Sequence, residues 1–136
     1  MFLADCINCN TSFEYRPSQK RGKYCSNKCQ QEKQWEIKRG IIEHTGEIEN
    51  GSNIIARRYL IERNGNLCKI CGIEEWMNEP VPLVCDHIDG NGDNWKIDNL
   101  RMICCNCDAL TPTYKGKNRG NGRHSRRMRY AQGKSY

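Results

Sequence analysis

The chain has 136 residues, enough for one domain or two very small ones. Its mean hydropathy of -0.88 leaves little apolar material for a core, so the fold needs cross-links such as disulfides or structural metals. There is no run of about 18 apolar residues for a membrane span, and no signal peptide is recognisable before the first Cys-x-x-Cys pair.

The net charge of +6 is unevenly placed along the chain. Eight of the 22 basic residues, and none of the 16 acidic residues, lie between Lys115 and Tyr136. The rest of the chain is therefore slightly acidic. This asymmetry indicates that the C-terminus contacts a polyanion, and a solvated run of charge is the alternative.

The first predicted element is a four-cysteine zinc finger at residues 1–39. Cys6-x-x-Cys9 is followed, after a turn-rich spacer, by Cys25-x-x-x-Cys29, which opens a helical stretch that Ser26 can cap. Paired spacings of this kind in an intracellular chain indicate zinc, and four thiolates leave no open coordination position. The segment resembles small treble-clef-type zinc fingers, which bind DNA, RNA or protein in different settings. A purely structural finger is the alternative.

Residues 40–64 are predicted to be a polar linker followed by a short helix. Glycines at positions 40, 46 and 51 interrupt the linker. Ile54 to Arg63 has an amphipathic pattern, with Ser52 or Asn53 as the cap and Asn64-Gly65 as the stop. This helix is expected to pack on the next domain through an apolar side that includes Ile54 and Tyr59.

A second four-cysteine zinc site is predicted from the pairs Cys68-x-x-Cys71 and Cys104-x-x-Cys107. The 32 residues between the pairs exceed the spacing of a simple zinc ribbon, so a further element is inserted between them. Cys85 and Cys105 lie outside both sets, and Cys85 is expected to face the core. The eight predicted zinc ligands are Cys6, Cys9, Cys25, Cys29, Cys68, Cys71, Cys104 and Cys107.

The insert places an acid beside a histidine at the end of an apolar strand. Asp86-His87 closes the run that begins at Leu83, Asn99 follows thirteen residues after Asp86, and Asp108 stands directly behind the second knuckle. Hard carboxylate oxygens suit magnesium or manganese, and an imidazole titrates near working pH. This combination is typical of phosphodiester hydrolysis. Four polar residues of the intervening loop are predicted to form turns: Asp89, Asn91, Asp93 and Asn94. Trp76 and Trp95 are predicted to cover the small core.

With Asp86-His87, Asn99-Leu100-Arg101 and the second knuckle in this order, the chain resembles the zinc-containing HNH endonucleases common in bacteriophage genomes. The resemblance runs from about Gly65 to Asn118. It implies an α+β fold with a small zinc-stabilised ββα-metal domain (HNH, His-Me finger) at residues 65–119. In such a domain two strands and a short helix hold one divalent ion.

The resemblance also implies a role for each motif residue. His87 would be the general base that activates water, and Asp86 would be a ligand of the catalytic ion. Asn99 would hold the loop that orients the histidine. The family usually has histidine where Asp108 stands. A carboxylate there keeps a metal ligand and favours harder ions, although its shorter side chain requires the ion to lie closer to the helix.

The basic C-terminal tail, residues 120–136, is predicted to include a short helix from His124 to Ala131. Arginine and lysine at this density suit contacts with phosphate, and such contacts weaken in salt. Nothing in the tail resembles a base-reading code. The candidate DNA-binding residues are Arg101, Lys115, Lys117, Arg119, Arg123, Arg126, Arg127 and Arg129.

The predicted function is a metal-dependent DNA endonuclease of phage or mobile-element origin that nicks or cuts duplex DNA in the cytoplasm of a bacterial host cell. Its expected cofactors are two structural zinc ions and one catalytic magnesium or manganese ion. The expected partner is double-stranded DNA, and the expected state is a monomer or weak homodimer with no membrane association. Two alternatives stay open. One is a zinc-stabilised DNA-binding module whose nuclease site has lapsed at Asp108, and the other is a scaffold whose finger docks a phage protein.

Overall fold

A computed structural model describes residues 1–18, 22–118 and 124–133, without the side chains of residues 124–127. The chain divides into two compact units, Met1–Thr45 and Gly46–Tyr136. Each unit contains both strands and helices, so the predicted α+β class is confirmed. No helix in the described part of the chain is long and apolar enough to cross a membrane.

The first unit is a hairpin followed by one long helix. Strands β1 (Phe2–Asp5) and β2 (Ser12–Tyr15) pair antiparallel, and helix α1 spans Asn27–Thr45. The Ser26 hydroxyl accepts a hydrogen bond from the Cys29 amide at 3.2 Å, so Ser26 caps this helix as predicted.

Helix α1 continues past the predicted boundary at residue 39. A glycine inside a helix costs only about 1 kcal/mol relative to alanine, so Gly40 does not have to end it. Beyond Gly40 the helix buries Ile42, which is 3% exposed, and this burial offsets the cost. The segment that was predicted to be linker therefore begins as helix.

The second unit starts with residues that are folded against it. Ile48 is buried, Glu47 forms an antiparallel bridge with Lys96, and a 3-10 turn spans Glu49–Gly51. The prediction that residues 40–53 form a linker is wrong over residues 46–51, because the backbone of this segment is hydrogen-bonded to the loop that carries Trp95.

Helix α2 spans Asn53–Asn64, close to the predicted bounds. The Ser52 hydroxyl accepts from the Ile55 amide at 3.3 Å, and Gly65 ends the helix at φ +83°. The helix packs against the strands that follow through Ala56, Tyr59 and Leu60. The predicted apolar side was partly wrong, because Ile54 points away from this face and is 82% exposed.

The remaining elements form a strand–strand–helix succession. A short hairpin, β3 (Glu75–Trp76) and β4 (Glu79–Pro80), leaves Trp76 57% exposed, so the prediction that it covers the core is wrong. Strands β5 (Leu83–His87) and β6 (Leu100–Cys104) then pair antiparallel and lead into helix α3 (Cys105–Leu110). Short 3-10 turns cover Ile97–Asn99 and Lys115–Asn118, and helix α4 spans His124–Ala131 as predicted.

The core of the second unit lies where helix α2 covers the β5–β6 pair. Leu60, Leu83, Leu100 and Met102 are buried there, and Ile103 is fully buried. Burial of this small set stabilises the pair by roughly 1.5–3 kcal/mol for each large side chain. A core of this size is consistent with a fold that also needs metal cross-links.

Candidate active site

The eight predicted zinc ligands fall into two separate clusters of four. Within each cluster the sulfur atoms all lie within 4.8 Å of one another. The S···S separations are 3.7 Å for Cys9–Cys25, 3.6 Å for Cys25–Cys29 and 3.8 Å for Cys71–Cys104. A tetrahedron with Zn–S bonds of about 2.3 Å has edges of about 3.8 Å, so both clusters fit zinc.

The electrostatics of the second cluster also favour a bound dication. Burial opposes ionisation of Cys68, but backbone hydrogen bonds around Cys71 and Cys104 lower the pKa of the Cys68 thiol to about 6. Burial and the three neighbouring sulfurs raise the pKa of Cys107 to about 12. Four thiolates therefore cannot be held this close without a cation that offsets their mutual repulsion.

Neither of the remaining cysteines belongs to a cluster. Cys105 is exposed on the first turn of helix α3. Cys85 is half-buried on β5, and burial raises the pKa of its thiol to about 11. Cys85 therefore stays protonated and behaves as a small packing residue.

Asp86 and His87 occupy the last two positions of β5. Asp86 is buried, at 9% exposure, and faces Arg101 across the β5–β6 pair. The Arg101 Nε donates to Asp86 Oδ2 at 2.8 Å. This contact engages one carboxylate oxygen of Asp86 and half-buries the arginine, which was predicted to contact DNA.

Asp108 lies in the first turn of helix α3, and the charges of Asp86 and Lys115 act on its carboxyl group. Burial and the negative charge of Asp86 raise the pKa of Asp108, while Lys115 acts in the opposite direction. Within the described part of the chain, only the two cysteine clusters bring three or more metal-ligand side chains together. Asp86, His87 and Asp108 therefore do not form a third group of this kind.

Asn99 ties the loop after β5 back to the start of β6. Its side-chain oxygen accepts from the Asp89 amide at 3.0 Å, and its Nδ2 donates to Asp89 Oδ1 at 2.9 Å and to the Asn94 carbonyl at 3.1 Å. The Asn99 carbonyl accepts from the Ile88 amide at 2.8 Å. The residue following His87 is thus held by the backbone of Asn99.

The loop itself is built from side-chain-to-backbone turns. Asp89 accepts from the Asn91 amide and from Asn94 Nδ2, both at 2.8 Å, and Asn91 accepts from the Asp93 amide at 3.0 Å. Although burial acts against it, the hydrogen bonds from Asn94, Asn91 and Asn99 hold the pKa of Asp89 below its usual value. The prediction that these residues form turns is confirmed.

Trp95 lies against His87, a contact that the sequence does not predict. Its ring contacts the His87 imidazole edge-on, with centroids 4.7 Å apart and planes at 87°. It is half-buried beside the histidine, and its position over the core stays a prediction. Periodicity could not have revealed this contact, because Trp95 lies in an irregular loop whose path is set by hydrogen bonds.

The predicted basic residues are only partly described. Lys115 and Lys117 are exposed on the turn after helix α3, and Lys115 Nζ lies 5.1 Å from the centroid of the Tyr114 ring. Arg129 is exposed on helix α4. Arg119 and Arg123 lie outside the described residues, and of Arg126 and Arg127 only the helical backbone is described.

Comparison with curated proteins gives a match to the H-N-H endonuclease F-TflIV of Escherichia phage T5. The two are 53% identical over 53 residues, which is 39% of this chain and 23% of the phage protein. The match thus spans about a quarter of that relative. It confirms the resemblance to HNH endonucleases over this stretch. No protein-family profile matches the chain, and no solved structure matches it.

Proposed function

We propose that this chain is a metal-dependent DNA endonuclease that hydrolyses phosphodiester bonds at a site formed by Asp86, His87, Asn99 and Asp108. The observation that carries the proposal is the Asp86-His87 pair at the end of β5, and the effect of the Asp86 charge on the Asp108 carboxyl adds support. The similarity to an enzyme named as an HNH endonuclease supports it.

The two carboxylates are the residues that would hold the catalytic ion. Their oxygens are hard ligands, and a divalent cation would offset both the burial and the Asp86 charge that raise the pKa of Asp108. When bound, magnesium or manganese supplies positive charge that stabilises the phosphate and the leaving oxygen. Arg101 leaves one oxygen of Asp86 for this purpose, because its guanidinium engages the other.

His87 is proposed as the general base. It follows Asp86 directly on β5, and an imidazole can accept the proton of a water molecule near neutral pH. Asn99 and the turn at Asp89 keep the end of β5 in one conformation, because they hold the backbone directly after His87. The role of Asn99 is therefore to limit the positions that the histidine can adopt.

The exposed lysines after helix α3 and the arginines of the tail are proposed to contact the DNA backbone. Lys115 acts to lower the pKa of Asp108, and its exposed ammonium would attract the phosphates of a duplex. Contacts of this kind position a duplex without reading its sequence.

The direct test is a plasmid-nicking assay with the full zinc-loaded protein in magnesium, in manganese and in EDTA. We expect conversion of supercoiled to open-circular or linear DNA in either ion and none in EDTA. Binding of DNA without cleavage in both ions would contradict the proposal. It would instead favour the second candidate, a DNA-binding module whose nuclease site has lapsed.

Asp108 allows a sharper prediction about the ion. Asp108→Asn removes one of the two negative charges, so we expect the magnesium concentration for half-maximal cleavage to rise by at least about tenfold. Asp108→His is expected to keep its cleavage activity in manganese and to lose more of that activity in magnesium, since imidazole is the softer ligand. Nicking rates against ion concentration, together with manganese binding followed by electron paramagnetic resonance, measure both effects.

The matched control for Asp108→Asn is Asp98→Asn. Asp98 is an exposed acid of the same unit, in the turn before β6, and no role is assigned to it. If the two variants needed the same magnesium concentration for half-maximal cleavage, Asp108 would not be a ligand of the catalytic ion.

A further inference from the structure

We propose that Trp95 is a positioning residue for His87 and that the segment Gly46–Gly51 holds Trp95 in place. This inference rests on the proposed function, in which His87 acts as the base. The segment Gly46–Gly51 lies before helix α2. It is far in sequence from the Asp-His pair and outside the motif that resembles HNH endonucleases.

The imidazole of His87 and the indole of Trp95 are in contact. The His87 and Trp95 centroids are 4.7 Å apart and the planes are nearly perpendicular, a geometry that aromatic pairs prefer. Both side chains are half-buried. The indole therefore occupies space into which the imidazole would otherwise rotate, and it restricts the histidine to fewer rotamers.

The backbone of Trp95 is fixed by the segment that precedes helix α2. The Ile48 amide donates to the Trp95 carbonyl at 3.0 Å, and the Ile97 amide donates to the Gly46 carbonyl at 2.8 Å. Between these bonds, Glu47 and Lys96 form an antiparallel bridge. Ile48, at 3% exposure, anchors the segment in the unit.

Gly51 fixes the ring as well as the backbone. Its φ is +59°, and a Cβ placed on it would lie 2.6 Å from Trp95 Nε1 and 2.9 Å from Cε2. The main chain at Gly51 thus lies directly against the indole, and only glycine leaves room for it. In addition, Asn99 Nδ2 donates a hydrogen bond to the carbonyl of Asn94, the residue before Trp95.

These contacts connect the segment to the base in three steps. The segment sets the position of Trp95, Trp95 limits the rotation of His87, and His87 must present its nitrogen to a water molecule. Catalysis by a positioned base is sensitive to small displacements, and a shift of about 1 Å can cost on the order of a hundredfold in rate. Disturbing Gly51 should therefore lower kcat with little effect on DNA binding.

Gly51→Ala and Gly46→Ala form a matched pair for the test. Both glycines have positive φ, +59° and +72°, so alanine is strained at each. The space beside Gly46 is open within 4 Å, whereas the added methyl at Gly51 collides with Trp95. Backbone strain and any general loss of stability affect both variants. A difference in kcat between them therefore reports the displacement of the Trp95 indole.

We expect kcat for plasmid nicking to fall at least about tenfold further in Gly51→Ala than in Gly46→Ala, with KM for DNA within about twofold in both. Trp95→Ala should behave like Gly51→Ala, and Trp95→Phe should recover part of the rate because it keeps an aromatic ring. Independently of cleavage, the NMR resonances of the His87 ring should move in Gly51→Ala and not in Gly46→Ala, because the ring current of Trp95 is displaced.

The outcomes separate the inference from the proposed function. Wild-type protein that cleaves, with equal kcat and unchanged His87 resonances in the two glycine variants, would overturn the role of Trp95 and leave the nuclease intact. A kcat loss in Trp95→Ala that is matched by an equal loss of DNA binding would also overturn it. Wild-type protein that does not cleave would overturn the proposed function, and this inference with it.

Discussion

Replacing His87 by alanine is expected to reduce DNA cleavage by roughly 10²–10⁴-fold, the contribution usual for a positioned general base. The side chain is half-buried at the end of β5, and the strand is held by its pairing with β6. Truncation there should leave the strand pair, the zinc content and DNA binding close to those of the wild type. The measurement is the single-turnover rate of plasmid nicking in saturating magnesium.

His44→Ala is the control for this variant. His44 is an exposed histidine in the last turn of helix α1, in the other unit of the chain. Its removal should change neither the cleavage rate nor the melting temperature. A His87→Ala protein that loses zinc or melts far below the wild type would show instead that the histidine is structural, and the general base would have to be sought elsewhere.

The second large effect is expected from Cys104→Ser, which should unfold most of the unit Gly46–Tyr136. Cys104 ends β6, caps helix α3 and belongs to the second sulfur cluster. Serine can keep the cap but is a poor zinc ligand. Zinc bound to four such residues contributes about 10–16 kcal/mol, as much as the whole stability of a typical domain. The loss should therefore exceed what the small apolar core can offset.

Zinc content and circular dichroism of the full chain measure this effect. We expect one zinc ion per chain in place of two, loss of the part of the β signal that comes from the second unit, and no cleavage, while the finger at Met1–Thr45 keeps its own ion and hairpin. Cys105→Ser is the matched control, since Cys105 is the next residue, is exposed and lies outside both clusters. A Cys104→Ser protein that melts like Cys105→Ser would rule out a structural zinc at this site.

Much of the architecture could be predicted because it depends on local patterns. The cysteine spacings identify both sulfur clusters, and Ser52 and Gly65 mark the ends of helix α2. Such signals lie within a few residues of the feature that they indicate. The continuation of helix α1 through Gly40 was missed because the burial of Ile42 outweighs a local preference.

The parts of the candidate site that were missed depend on contacts between distant segments. The Asp86–Arg101 pair follows from which residues of β5 and β6 face each other, and this register is visible only once the strands are paired. The contact of Trp95 with His87 depends on a loop path and on Gly51, which precedes both residues and helix α2 in the chain. Spacing along the chain carries no information about either.

The second zinc site also has a consequence for how the chain folds. Its two knuckles are separated by 32 residues, and β5 with the loop carrying Asn99 lies inside that interval. Closing such a loop costs entropy, so a zinc ion first held by Cys68 and Cys71 completes its coordination only when the distant pair arrives. We expect the proposed catalytic residues to assemble in that same kinetic step. A chain synthesised in a zinc-starved cell would then carry every proposed catalytic residue and cleave no DNA.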